Sequence, residues 1–187
     1  MLFRSIIGGG WPETFEDVAA GIDLLATLPT GSSRVAAIGH SAGGHLGVWA
    51  AARAGLPDGA PGARPAVALA GVISQGGVLG LADCARDRLG EDAAIKLMGG
   101  GPDELPEPYR LADPMTWLPS PAGVVCLHSH ADQRVPYSYS ERYVAADVAS
   151  GGRARLVETF GDHFTLIDPA TQDWAVAMAA LPELLAG

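Results

Sequence analysis

Val35-Ala36-Ala37-Ile38-Gly39-His40-Ser41-Ala42-Gly43-Gly44-His45 is the stretch on which the fold turns. Val35 to Ile38 is an apolar run of strand length, Gly39 to Gly43 has the pattern G-x-S-x-G, and a small-residue helix is predicted from about Ala42 to Ala54. Between a strand and a helix this pattern has a mechanical meaning: the chain reverses within one or two residues and leaves its serine in a strained conformation. Glycines two residues to either side, Gly39 and Gly43, are expected to let strand and helix approach closely. Ser41 then stands at the C-terminal end of a sheet, where α/β folds place their ligands. The Ala42 N–H, at the head of the helix, is an expected donor to a developing oxyanion.

Outward from this turn the chain alternates strands with helices. Pro12 opens a helix whose Glu13, Glu16 and Asp17 complement its dipole. Phe15, Val18, Ile22 and Leu25 recur at helical spacing and predict one buried face through about Leu28, ended by Pro29-Thr30-Gly31. The Pro- and Gly-rich stretch 55–65 reads as a surface loop. Strands are expected at Ala66–Ser74, Val124–His128 and Leu156–Phe160, with helices at Tyr139–Val148 and about Thr171–Leu185. Residues 76–119, broken by Gly99-Gly100-Gly101-Pro102 and Pro106, read as a cap-like helical excursion over the sheet. The whole predicts one α/β domain, 1–187, with a parallel sheet covered on both faces.

A net charge of -9 and a single lysine, Lys96, argue against a nucleic-acid partner. Two cysteines, Cys84 and Cys126, lie in apolar runs and read as small buried hydrophobes, not a disulfide framework. No run reaches the ~18 apolar residues of a membrane span, and the first residues have one arginine and too short an apolar run for a signal peptide. A cytoplasmic protein with a small-molecule substrate, no membrane partner and no cofactor is expected.

A serine nucleophile needs a base, and the base an orienting carboxylate, each on a loop after a strand. Asp132 follows the strand Val124–His128, and His163 follows Leu156–Phe160. Both loops leave the sheet edge that carries Ser41, so Ser41, Asp132 and His163 are the predicted triad. Asp113 precedes its strand, and Asp162 adjoins His163 and reads as a turn residue. His40 and His45 lie too close to Ser41 in sequence to serve as the base; His45 is expected to pack on the helix. A rival reading takes His128, His130 and Asp132, an H-x-H-x-D pattern with alternate histidines on one strand face, as part of a zinc site. Its weakness is Gln133, where such motifs carry a further histidine.

Four segments together, GHSAGGHLGVWAA (39–51), VISQGGVLGLA (72–82), LHSHADQRVP (127–136) and GDHFTLIDP (161–169), resemble α/β-hydrolase esterases of the kynurenine-formamidase and feruloyl-esterase-like group. The prolyl-oligopeptidase branch is a more distant relative. The resemblance runs from about Gly8 to the C-terminus and implies an α/β-hydrolase fold with Ser41, Asp132 and His163 in the roles above. Ser129 departs from it, since a glycine usually follows the histidine there. The group also carries an upstream His-Gly-Gly loop that supplies further oxyanion donors. Gly8-Gly9-Gly10-Trp11 lies too close to Ser41 to be that loop and looks instead like a turn after the fourth strand. The resemblance therefore implies a chain lacking roughly its first 70–100 residues and several strands, with catalysis impaired accordingly. The expected activity is hydrolysis of a carboxylic ester or formamide through an acyl-enzyme. The alternatives are a prolyl-oligopeptidase-like peptidase, a non-catalytic remnant, and the zinc hydrolase.

Overall fold

The computed structural model describes residues 9–29 and 34–186. Gly8, Thr30 and Gly31, named above in two predicted turns, lie outside these. Four strands, β1 (Val35–His40), β2 (Leu69–Gln75), β3 (Gly123–Ser129) and β4 (Arg155–Thr159), form one sheet in sequence order. All three pairings are parallel, with Ile38 opposite Ile73, Ile73 opposite Val125, and Leu127 opposite Val157. Parallel neighbours require crossovers, and these are the helix α2 (Ala42–Ala52), the segment with α3 (Leu81–Arg86), α4 (Leu89–Met98) and α5 (Pro106–Ala112), and the helix α6 (Ser138–Ala149). The flanking helices are α1 (Glu13–Asp23) and α7 (Gln172–Ala186).

The uninterrupted apolar runs of β2 and β3 have the cause expected of them: both faces are covered. On one face Val72, Val124 and Cys126 join a core with Phe15, Trp49 and Tyr139. On the other, Ile73, Val125 and Leu127 meet Leu166, Ala177 and Ala180 beneath α7. Burial of each large apolar side chain contributes roughly 1.5–3 kcal/mol. Segment 76–119 contains α3, α4 and α5, and its Leu81, Cys84, Met98, Tyr109 and Ala112 are part of the first core. Cys84 and Cys126 are both free and buried.

The two edges of the sheet differ. The outer strand β4 carries exposed Arg155 and Glu158, charges that blunt an edge. Among the described residues β1 pairs on one side only, and its Ile38 is 38% exposed. Beside it runs an apolar groove of about 580 Å³, lined by Val18, Ile22, Ile38, Leu46 and Leu97 among others.

Two boundaries depart from expectation, and Asp23 accounts for the second of them. Helix α1 stops at Asp23, continuing only as a 3₁₀ turn over Leu24–Thr27, and β2 begins at Leu69 instead of Ala66. Asp23 Oδ1 accepts the N–H groups of Ala66 and Val67, 3.0 and 3.2 Å away, which diverts them from the ladder. The buried Arg53 clamps the same carboxylate at 2.5 Å. Of the predicted apolar face of α1, Phe15 is fully buried, whereas Val18 and Ile22 line the groove and Leu28 is exposed.

Candidate active site

Ser41 joins β1 to α2 with φ 55° and ψ −118°, a conformation that costs an L-residue of order 1–3 kcal/mol. The surrounding backbone holds it there. Its N–H donates to the Gln75 carbonyl at 2.9 Å, and its carbonyl accepts from Gly44 at 3.0 Å and Val78 at 3.3 Å. The strain predicted for this turn is therefore present. The glycine requirement is only half as predicted. A Cβ on Gly39 would clash with the Gly43 carbonyl oxygen, but one on Gly43 would meet nothing within 4 Å. Close approach is enforced at Gly39, and Gly43 contributes the backbone that Gly39 must clear. Ala42 is the first residue of α2 and lines the apolar groove. Its N–H is among those a helix start leaves without an intrahelical acceptor.

The loops after β3 and β4 bring Asp132 and His163 together. His163 Nδ1 lies 2.6 Å from Asp132 Oδ2, with the Asp132 side chain fully buried and His163 nearly so. The other carboxylate oxygen accepts from the N–H groups of Arg134 at 2.8 Å and Val135 at 2.9 Å. Burial pushes the Asp132 carboxyl up, but the Val135 N–H, the His163 ring and the Arg134 N–H outweigh it and hold the group below the usual carboxylate value. An acceptor at Nδ1 places the ring proton there and leaves Nε2 as the basic nitrogen. Ser129 buttresses the turn: its hydroxyl accepts from the Ala131 N–H and its carbonyl from the Asp132 N–H.

Gly76 links this pair to the serine. It follows Gln75, the partner of the Ser41 N–H, and a Cβ on it would lie 3.0 Å from Asp132 Oδ2 and 3.1 Å from His163 Nδ1. With φ 53° as well, only glycine sits there without strain. The buried Gln75 side chain donates to the Leu166 carbonyl in the loop that carries His163. His40 approaches from the serine side. Its Nε2 donates to the His163 carbonyl at 2.8 Å, and the two rings lie 4.3 Å apart, with burial lowering the pKa of His40. Neither Gly76 nor the His40 contact was legible beforehand, because each depends on which loops meet. The Gly76-Gly77 pair after a strand was the available signal.

The competing residues sit elsewhere. Asp113 caps the turn after α5 and accepts from the Ala82 and Met115 N–H groups. Asp162 closes its own turn on Phe164 and Thr165. His45 is buried in α2, bonded to the Ala112 carbonyl at 3.0 Å, and burial drops its pKa to about 4. The zinc arrangement is contradicted by where the histidines point. His128 is fully buried with both nitrogens engaged, whereas His130 leaves the strand and stacks on Tyr137 at 3.8 Å. Among the described residues no three His, Cys, Asp or Glu side chains converge as metal ligands, and no helix is long and apolar enough to cross a membrane. At the His163 mouth, a hollow of about 180 Å³ is lined by Gln133, Arg134, Asp162 and Phe164.

A family model described as BD-FAE matches residues 3–146, a span that includes Ser41 and Asp132 and ends before His163. No curated protein sequence matches the chain. Among solved structures, a truncated carbohydrate esterase from gut microbiota superposes with a TM-score of 0.78 at 20% identity, over 100% of this chain and 73% of that one. A bifunctional GH43-CE protein of Bacteroides eggerthii gives 0.77 at 21% identity, over 98% of this chain and 28% of the other. A lipase/esterase from Lactobacillus plantarum gives 0.72 at 18% identity, over 98% and 72%. The chain thus spans just over a quarter of the second protein and nearly three quarters of the other two. At these identities the likeness establishes the fold, which is that of the α/β-hydrolases.

Proposed function

Because this chain belongs to the BD-FAE family, we propose that it is a serine hydrolase that cleaves carboxylic esters through an acyl-enzyme, with Ser41, His163 and Asp132 as its triad. The observation that carries this reading is the 2.6 Å bond between His163 Nδ1 and Asp132 Oδ2, at the sheet end where Ser41 holds its left-handed turn. The esterase names of the fold's neighbours support the ester class.

In the first half-reaction Ser41 Oγ attacks the ester carbonyl while His163 Nε2 takes the hydroxyl proton. Asp132 stabilises the imidazolium, and the Ala42 N–H receives the oxyanion of the tetrahedral intermediate. The C–O bond to the alcohol then breaks, and His163 returns the proton to the departing oxygen. Water, deprotonated by His163, attacks the acyl-serine; the acyl–Oγ bond breaks, His163 returns the proton to Ser41 Oγ, and the acid is released. Neither half-reaction needs a cofactor.

Hydrolysis of a short-chain p-nitrophenyl ester tests the proposal. Ser41→Ala is expected to lower kcat by about 10⁴-fold or more while leaving the circular dichroism unchanged. A Ser41→Ala variant that keeps most of its kcat removes the nucleophile from the reading.

A further inference from the structure

We propose that His128 is a positioning residue for this chemistry: a neutral Nε2–H imidazole that clamps the Asp132–Val135 turn from inside the fold and donates toward the same carboxylate oxygen that binds His163. The inference rests on the triad reading above.

His128 occupies the penultimate position of β3 and is fully buried. Its Nε2 lies 3.0 Å from the Val135 carbonyl and 3.3 Å from Asp132 Oδ2. A carbonyl and a carboxylate are acceptors only, so the nitrogen between them carries the proton. Nδ1 is then a lone pair, and the buried Ser140 hydroxyl on α6, 2.7 Å away, donates to it. Every polar atom of the ring is satisfied in this one tautomer. In the other, Nε2 would face two oxygens without a hydrogen and leave buried polar atoms unpaired.

The clamp closes a ring of bonds. Val135, whose carbonyl His128 holds, donates its own N–H to Asp132 Oδ1. The Asp132 carboxylate is thereby met by two backbone N–H groups on one oxygen and two imidazoles on the other. With Oδ1 held by the two N–H groups, His163 and His128 approach Oδ2 from two directions, and His128 ties that oxygen to the interior side of the turn. The titratable groups facing the ring are Asp132, His163 and Tyr137, whose ring lies edge-on at 5.6 Å. Burial, the largest influence, lowers the pKa of His128 and keeps it neutral. This also assigns the H-x-H-x-D pattern: its first histidine and its aspartate belong to one hydrogen-bonded turn, and its second histidine is a surface residue.

The test uses the whole 187-residue chain and two readouts. The first is independent of turnover. Nitrogen-15 NMR of the His128 ring at neutral pH should show a protonated Nε2 and an unprotonated Nδ1. The opposite tautomer, or a ring protonated on both nitrogens, overturns the proposal. The second compares His128→Leu, which removes the donor, with His128→Gln, whose amide restores an N–H near Nε2. His128→Leu should lower kcat about ten- to a hundredfold with KM little changed, and the acid limb of the pH–rate profile should move to higher pH as Asp132 loses a donor. His128→Gln should recover most of both. Wild-type rates and pH limb in His128→Leu, alongside a dead Ser41→Ala, overturn the positioning role alone. A fully active Ser41→Ala strikes the triad reading instead. Should His128→Leu not fold, Ser140→Ala decides by NMR: loss of its hydroxyl should leave Nε2 protonated, and a switch to Nδ1 overturns the account of the clamp.

Discussion

Ser41 is set in place by backbone alone, through a left-handed φ and four main-chain hydrogen bonds, His45 N–H being the fourth partner, whereas Asp132 and His163 are set by a side-chain pair whose carboxylate also takes two N–H groups. The serine side faces an apolar groove and the edge of β1 that carries no partner among the described residues, and the acid side is closed by polar groups on every oxygen of its carboxylate. The contrast matches what the proposed reaction asks of each group. A nucleophile needs an exposed oxygen on a rigid stem, which a strained turn supplies without covering it. An ionised carboxylate out of water needs partners, because an unpaired buried charge costs several kcal/mol. Rigidity therefore comes from main-chain conformation and main-chain hydrogen bonds on one side and from hydrogen bonds to a buried side-chain pair on the other, and substitutions on the two sides should fail differently.

The acid side should be the more sensitive to loss of a single charge. Asp132→Asn puts an NH₂ group opposite the N–H donors of His163 and His128, so one ring must turn or change tautomer. A fall in kcat of about 10⁴-fold is expected, as for a triad whose base is held in the wrong tautomer; an effect below tenfold on ester turnover would break the contrast. Where the two sides meet, Gly76→Ala should act by displacement. Its Cβ must fit within 3.0–3.1 Å of both Asp132 and His163 at φ 53°, which predicts a loss of about ten- to a hundredfold in kcat. A crystal structure of that variant should show the imidazole displaced, and an unmoved ring with full activity would mean the contact is slack.

The smallest expected effect lies in the pH dependence of stability. On the serine side His45 is buried neutral, its pKa lowered from 6.5 to about 4. Between those values the unfolded chain binds the proton and the folded one does not, so stability falls as pH drops through that window, by up to roughly 3 kcal/mol from this group. His40 and His128, also lowered, act with the same sign. Asp132, held below 3.8, contributes stability that is present above that value and is lost only as pH falls through its folded pKa. Denaturant melts from pH 7 to 4 should therefore slope downward, and His45→Gln should flatten the slope. An unchanged slope would mean that His45 is already charged in the folded protein.

The same division governs what could be read from the sequence. The serine turn is local: Val35 to Ala52 contains its own strand, strained residue and helix, and G-x-S-x-G marks it. Asp132 and His163 were legible because parallel topology sends every post-strand loop to one sheet edge. Gly76, His40 and the His128–Ser140 pair were not, since each depends on which loops touch at that edge. His128 misled for a physical reason. Two histidines alternate on a strand only while the strand lasts, and β3 ends at Ser129, so His130 turns outward. The late start of β2 was likewise hidden, because Asp23, 43 residues before Ala66 in sequence, captures the N–H groups that would have begun it.

Covalent labelling decides most directly whether Ser41 is a nucleophile activated by His163. Intact protein treated with a fluorophosphonate should gain the mass of one adduct, and peptide mapping should place it on Ser41. His163→Gln should label far more slowly, and Ser41→Ala not at all. An adduct elsewhere, an unlabelled Ser41 in folded protein, or equal labelling of His163→Gln would contradict the assignment.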